Sequence, residues 1–138
     1  MNFIYNAADL LGRIFLIILF VVAGFGKVGG YAGTAAYMES HGVSSSLLPL
    51  VILTEIGGSL LILIGWHTRI VAFLMAGFTL LTLLFFHMPI ADHGEQIVVL
   101  AELATAGGFL VLTGRGAGGW SLDARRQNAK GHINTGEL

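Results

Sequence analysis

The sequence predicts an all-α, polytopic membrane protein: a four-transmembrane-helix bundle with a short interfacial helix between the first two spans. Three observations lead there. The 138-residue chain is 55% apolar and only 11% charged, whereas a soluble domain carries about 25% charged residues. Its apolar residues fall in four long blocks without apolar/polar alternation, which favours helices over strands in lipid, where backbone groups must bond internally. Its seven Lys and Arg are distributed very unevenly between the two sides of those blocks.

The blocks follow in order. The first, Leu10 to Val28, is "LLGRIFLIILFVVAGFGKV". Its leader "MNFIYNAAD" has no positive charge and no Ala-x-Ala-like site follows, so an uncleaved span is expected rather than a signal peptide. "GGYAGTAAYMESHGVSSS" then breaks the pattern. Thr34 to Ser40 suits a short interfacial helix ending at Gly42, with Tyr31 and Tyr37 at headgroup level. The second block runs from Leu47 to Trp66; Ser46 is its expected cap and Pro49 suits its first turn. A tight "HT" link leads to the third block, Arg69 to Phe86. "HMPIADHGEQ" connects it to the fourth, about Ile97 to Thr113. Each block is near the ~20 residues that cross a ~30 Å hydrocarbon core. After Gly114 the chain is polar and Gly-rich, and Trp120 marks a return to the interface. Residues 1–123 therefore read as one membrane domain, and 124–138 as a polar, disordered cytoplasmic tail.

Four spans put both termini on one side. Arg13, Arg69, Arg115, Arg125, Arg126 and Lys130 fall there, and only Lys27 falls opposite, with Glu39, Asp92 and Glu95. The positive-inside rule makes the Arg-rich side cytoplasmic. The expected location is the cell inner (plasma) membrane. A net charge of −1 with no basic stripe argues against nucleic acid. With no cysteine, disulfides, thiolate metal sites and Cys-x-x-Cys chemistry are excluded within the chain. His87, Asp92, His93 and Glu95 match no strong ligand spacing, so no metal is expected. His87 is the single span-end histidine on its side, which leaves no pair for haem.

The polar residues inside the spans carry the functional reading. Glu55 lies roughly 12 Å along the second helix, and Glu102 roughly 7 to 8 Å into the fourth, at 1.5 Å per residue. Lys27 and His87 close the outer ends of the first and third. One polar group from each helix thus falls in the outer half of the bilayer, while Arg13 and Arg69 sit near the inner face, where they can snorkel. Arg13, Phe20 and Lys27 share a face, as do Glu55, Gly58, Ser59 and Ile62, and Glu95, Glu102, Thr105, Ala106 and Phe109. Small neighbours allow close helix approach, and the pairs Gly57-Gly58 and Gly107-Gly108 read as packing devices. Intramembrane ionisable groups are functional by default. The structural alternative is that Lys27 and one carboxylate fix helix register while the other carboxyl is protonated.

The stretches "GRIFLIILFVVAGFGKVGGYAGTAAYMESHGV", "LPLVILTEIGGSLLILIGWHTR", "AGFTLLTLLFFH" and "AGGFLVLTGRGAGGWSLD" resemble the DoxX family, closest to its YqjF-like inner-membrane branch. The resemblance runs from about Gly12 to Asp123. It implies a four-helix membrane bundle and a quinone- or redox-linked membrane subunit, an accessory of an oxidoreductase more than an enzyme alone. Lys27, Glu55 and His87 match positions of the family pattern. The fourth helix departs from it: where similar proteins often carry a Lys-Asn pair, this chain has Ala101-Glu102, one cation fewer and one acid more. Under this reading a quinone headgroup is the ligand, held near Lys27, Glu55, His87 and Glu102 with Phe20, Phe85, Phe86 and Phe109 as apolar walls. The partners it implies are the lipid bilayer, a redox partner protein and further copies of the chain. The competing reading is a non-enzymatic scaffold or small-solute carrier. Reporter fusions after Asp123 and within Glu39 to Ser46 are expected to read cytoplasmic and external respectively; the reverse result would overturn the assigned depths as well.

Overall fold

The computed structural model describes residues 2–134. Its helices are α1 (Asn2–Gly29), α2 (Tyr31–Ser40), α3 (Leu48–Ile64, entered through a 3-10 turn at Ser45–Leu47), α4 (Thr68–Phe86), α5 (His93–Arg115) and α6 (Leu122–Asn134). Four stretches are long and apolar enough to cross a membrane: Asn2–Gly29, Ser45–Ile64, Thr68–Phe86 and His93–Arg115. Large apolar side chains such as Phe15, Leu53, Phe73 and Leu100 cover the outside. A soluble monomer rarely exposes such contiguous apolar surface; a bilayer is the solvent that accepts it.

The core follows the heptad phase of α1. Arg13, Ile17, Phe20 and Gly24 form its buried stripe. α1 packs chiefly on α3, and α4 chiefly on α5, with α3 against α4 between the two pairs. Phe20 joins them: its ring lies 5.6 Å from Phe109 on α5 and 6.4 Å from Phe78 on α4. Ile62, Ala72, Met75 and Ala76 complete the cluster. Of each Gly pair, one member works. A Cβ on Gly108 would meet Leu16 at 2.6 Å, and Gly58 faces Met75, whereas Gly107 opens onto space and Gly57 meets only its own helix's Leu53. The decisive approach is at Gly24, where a Cβ would meet Ile56 at 2.7 Å. α1 and α3 therefore touch nearly backbone to side chain at that level.

Several elements differ from expectation. α1 begins well before Leu10, because Asn6 and Asp9 on its first turns dock against the loop at Gly118 and Gly119; the Gly119 N–H donates to Asn6 Oδ1 at 3.1 Å. α2 starts at Tyr31 rather than Thr34. The second span is capped from Ser44 rather than Ser46: the Ser46 N–H donates to Ser44 Oγ, and the 3-10 turn supplies the bend. Pro49 does sit in the first turn of α3. Asp92 caps α5 by accepting from the Glu95 N–H at 2.9 Å, while Glu95 accepts from Ala91 N–H at 2.7 Å, a near capping box that lengthens the fourth span. The tail expected to be disordered forms α6 through Asn134; residues 135–138 lie outside the described residues. Ala, Arg, Gln and Lys there are good helix formers.

The Arg-rich end is held by two long-range contacts. Arg13 is 1% exposed, so it does not snorkel. Its guanidinium donates to the carbonyls of Ile62 (3.2 Å), Leu63 (2.7 Å) and Trp120 (2.6 Å). Ile62 and Leu63 belong to the last turn of α3, where carbonyls run short of helical partners; the Ile62 carbonyl also accepts from the Gly65 N–H at 3.2 Å, and a cation there meets the negative end of the helix dipole. Asp123 then caps α4 across the chain, accepting from His67 N–H at 2.9 Å and Thr68 N–H at 2.8 Å. This stabilises a strained link, since Gly65 (φ 70°) and His67 (φ 49°) both adopt the left-handed region, which costs energy for a non-glycine residue.

Burial raises the Asp123 carboxyl, but the hydrogen bonds from Thr68 and His67 outweigh it and hold it below the usual range. The cap's contribution is therefore complete above the ordinary carboxylate pKa and is lost as pH falls through the lower native value. Asp123→Ala is expected to lower stability in detergent by about 1 kcal/mol, as for loss of an N-cap, with Asp123→Asn milder. Thermal unfolding at neutral and acidic pH measures it; the Ala variant and the parent should converge at acid pH.

Candidate intramembrane polar site

At the opposite end of the bundle, α1 delivers Lys27 to α3. Lys27 shares the Arg13–Phe20 stripe, two heptads beyond Arg13. The close approach at Gly24 brings its ammonium between the helices. Lys27 Nζ donates to both oxygens of Glu55, at 2.8 and 2.9 Å. The Glu55 side chain is 5% exposed and that of Lys27 25%, so the acid is interior and the lysine stem spans the boundary. The sequence left Glu55 and Glu102 both open as partner; the geometry selects Glu55.

α4 and α5 contribute a second, looser contact. His87, the C-cap of α4, places Nε2 3.7 Å from Glu102 Oε1. That distance is an ion pair only when the imidazole is protonated. The other carboxylate oxygen, Oε2, is buried with no hydrogen-bond partner among the described residues. Lys27 and His87 both lie near enough to act on Glu102 through charge. Lys27, Glu55, His87 and Glu102 thus converge from α1, α3, α4 and α5, at one end of the bundle. Arg13 and Arg69 are at the other end and take no part in this cluster.

The aromatic residues divide differently from the expected ring of apolar walls. Phe20 and Phe109 belong to the closed core, and Phe85 is exposed on the outside. Phe86 stacks on Tyr37 with ring centres 5.6 Å apart and also meets His41. Together with buried Met38, that stack fastens α2 over the end of α4. Sequence reasoning placed Tyr37 at headgroup level without a partner. The i, i+4 spacing of Tyr37 and His41 was the signal that they share one face of α2, the face that meets Phe86. The His93 region binds locally: its Nδ1 meets Gln96 Oε1 at 3.1 Å beside the Asp92 cap.

A bundle of four apolar helices with a buried ion pair and a second carboxylate at one end defines a polytopic integral membrane protein with an internal polar site. The DoxX family matches residues 8–88. Inner membrane protein YqjF of Escherichia coli (strain K12) is 49% identical over 114 residues, covering 83% of this chain and 88% of that protein. Inner membrane protein YphA of the same organism is 33% identical over 123 residues, covering 84% and 88%. This chain belongs to the DoxX family. No solved structure matches it.

A double-mutant comparison tests the pair. Lys27→Met leaves a buried carboxylate without its partner, a loss on the order of 3 to 5 kcal/mol for a fully buried pair, reduced here by the partial exposure of Lys27. Lys27→Met with Glu55→Gln is expected to be milder than Lys27→Met alone, and Lys27→Met with Glu102→Gln is not. Unfolding of the detergent-solubilised proteins reads the difference.

Proposed function

We propose that this protein is a multi-pass subunit of the inner membrane, with its Arg-rich end cytoplasmic, that holds the polar head of a lipid-soluble quinone beside Glu102, His87 and Lys27. The carrying observation is the buried Glu102 Oε2, without a partner among the described residues. A carboxyl oxygen in that state is costly unless it meets a ligand group, a proton or water. The donor set fits a quinone. Lys27 Nζ has a third proton beyond the two used on Glu55, and His87 Nε2 is held loosely enough to turn toward a carbonyl oxygen. A quinone supplies two-electron, two-proton chemistry at its carbonyl oxygens. The residues' share is to orient the head and to hold or release a proton at Glu102 Oε2. Lys27 Nζ, held on both Glu55 oxygens at 2.8 and 2.9 Å, has a fixed place beside the site. Electrons come from a redox partner protein. The names of the relatives, both inner membrane proteins, support the location, and the Lys/Arg asymmetry supports the orientation.

A second reading rests on the completeness of the Lys27–Glu55 pair. An acid answered by both of its oxygens serves register without any ligand, and the bundle would then be a scaffold or carrier. One substitution separates the two. Glu102→Gln keeps the shape and removes the titratable group. On the quinone reading it is expected to abolish most quinone co-purified by gentle extraction, or quinone-dependent turnover with the native partner, at unchanged folded yield. Equal quinone content in both proteins, or none in either, favours the scaffold.

A further inference from the structure

The Arg-rich end contains a cavity of about 640 Å³ between the start of α4, the end of α5, the loop after it and α6. Arg69, Arg115, Arg126 and Lys130 line it. Among the described residues Asp123 is the one acid on its wall, and its oxygens are taken by the His67 and Thr68 N–H groups. Among the described residues none of the four cations has a carboxylate within 4 Å. Arg69 makes a single long bond, 3.4 Å to the Arg115 carbonyl. Arg126 and Lys130 are four apart on α6, so they share a face, and that face closes the cavity. Four like charges around one hollow repel each other unless an anion sits among them.

Two features say which anion. Trp66 and Trp120 stand at this end, each less than half exposed, which is the place of aromatic residues at the membrane–water boundary. The cavity therefore opens at headgroup depth. Three of its four cations are arginines, whose planar fork matches the oxygens of a phosphate in a bidentate way. The volume lies in the range of small-molecule sites, and basic pockets at the ends of spans suit anionic lipid heads. We propose that this cavity is a binding site for a phosphate-bearing anion, either the phosphodiester head of an anionic phospholipid or a soluble phosphate. The ordinary Lys/Arg bias of this side of the bundle is a separate matter, because Arg125 on the same helix contributes to that bias without lining the cavity.

The test uses this difference. The full chain is placed in nanodiscs of mixed phosphatidylglycerol and phosphatidylcholine, and native mass spectrometry counts the lipid retained. Arg126→Gln and Lys130→Gln lie on exposed positions of α6, so the bundle does not depend on them. In a second arm, inorganic phosphate is titrated into the protein in phosphatidylcholine discs. Fluorescence of Trp66, whose ring lies 4.9 Å from that of His67 on the cavity wall, reports binding. The expected result is one retained phosphatidylglycerol, with retention reduced about tenfold per cation removed, and little change in Arg125→Gln. A phosphate-dependent Trp66 signal that needs Arg126, without preference for phosphatidylglycerol, identifies the soluble source. Absence of both signals, or equal loss in Arg125→Gln and Arg126→Gln, overturns the site.

Discussion

A charged side chain placed in hydrocarbon has to find its partner inside the protein, and both ends of the α1–α3 contact are built around that requirement. At one end Arg13 reaches the last carbonyls of α3, and at the other Lys27 grips both oxygens of Glu55. The two cations are fourteen residues apart on one stripe of α1, roughly 21 Å along the axis. A helix fixed at two such points can neither slide nor rotate against its neighbour without stranding a charge. Gly24 against Ile56 sets the helix separation that makes the second contact possible. Polarity thus fixes the register, and the small residue fixes the distance.

The α4–α5 pair is held by different means. Its interior is mostly small or apolar: Ala72, Ala76, Ala106 and Phe109. At the Arg-rich end its order comes from Asp123, which reaches back from the start of α6 to cap α4 and bonds through its own N–H to the Gly65 carbonyl at 2.9 Å. At the Lys27 end, among the described residues, the polar side-chain contact between them is the 3.7 Å His87–Glu102 approach. The charge pairing is therefore close along α1 and α3, at 2.8 and 2.9 Å, and loose along α4 and α5, at 3.7 Å, although Arg13 Nε and Ser59 Oγ are also buried without a partner among the described residues. On the proposed function, a ligand head that needs a donor and a proton acceptor meets both on the looser side, beside the Lys27–Glu55 pair.

Much of this was legible in the residues, for reasons that differ from case to case. Span number and order came from apolar block length, which lipid enforces strongly. The convergence of Lys27, Glu55, His87 and Glu102 came from depth and helical phase, both arithmetic on a regular helix. What phase could not provide was pairing. Two carboxylates at similar depth compete for one ammonium, and the close approach at Gly24 decides it. Arg13 was misread because snorkelling is the default for a cation near a boundary, while the alternative depends on where another helix ends. The Asp123 cap was invisible because its acceptor geometry joins residues more than fifty positions apart. α6 was missed because the Gly-rich loop before it and its own polarity both suggested disorder, although its Ala, Arg, Gln and Lys content favoured a helix.

The two intramembrane acids then separate by what they answer. Glu55 is required by Lys27: a neutral amide there would leave an ammonium half-buried without a counter-charge. Glu102 has no such claim on it. His87 Nε2 stands 3.7 Å from Glu102 Oε1, beyond hydrogen-bond distance, and a Gln at 102 would place a neutral amide there, with no buried charge to stabilise and a donor in place of the orphaned oxygen. Packing does not demand a carboxyl there either, since Glu102 lies between exposed Ala101 and Leu103 on a half-buried face of α5. On the proposed function, a group that costs energy in lipid and serves neither register nor packing is retained for chemistry that uses its proton. That proposal shifts the functional weight of the site from the acid that is best bonded to the one that is least.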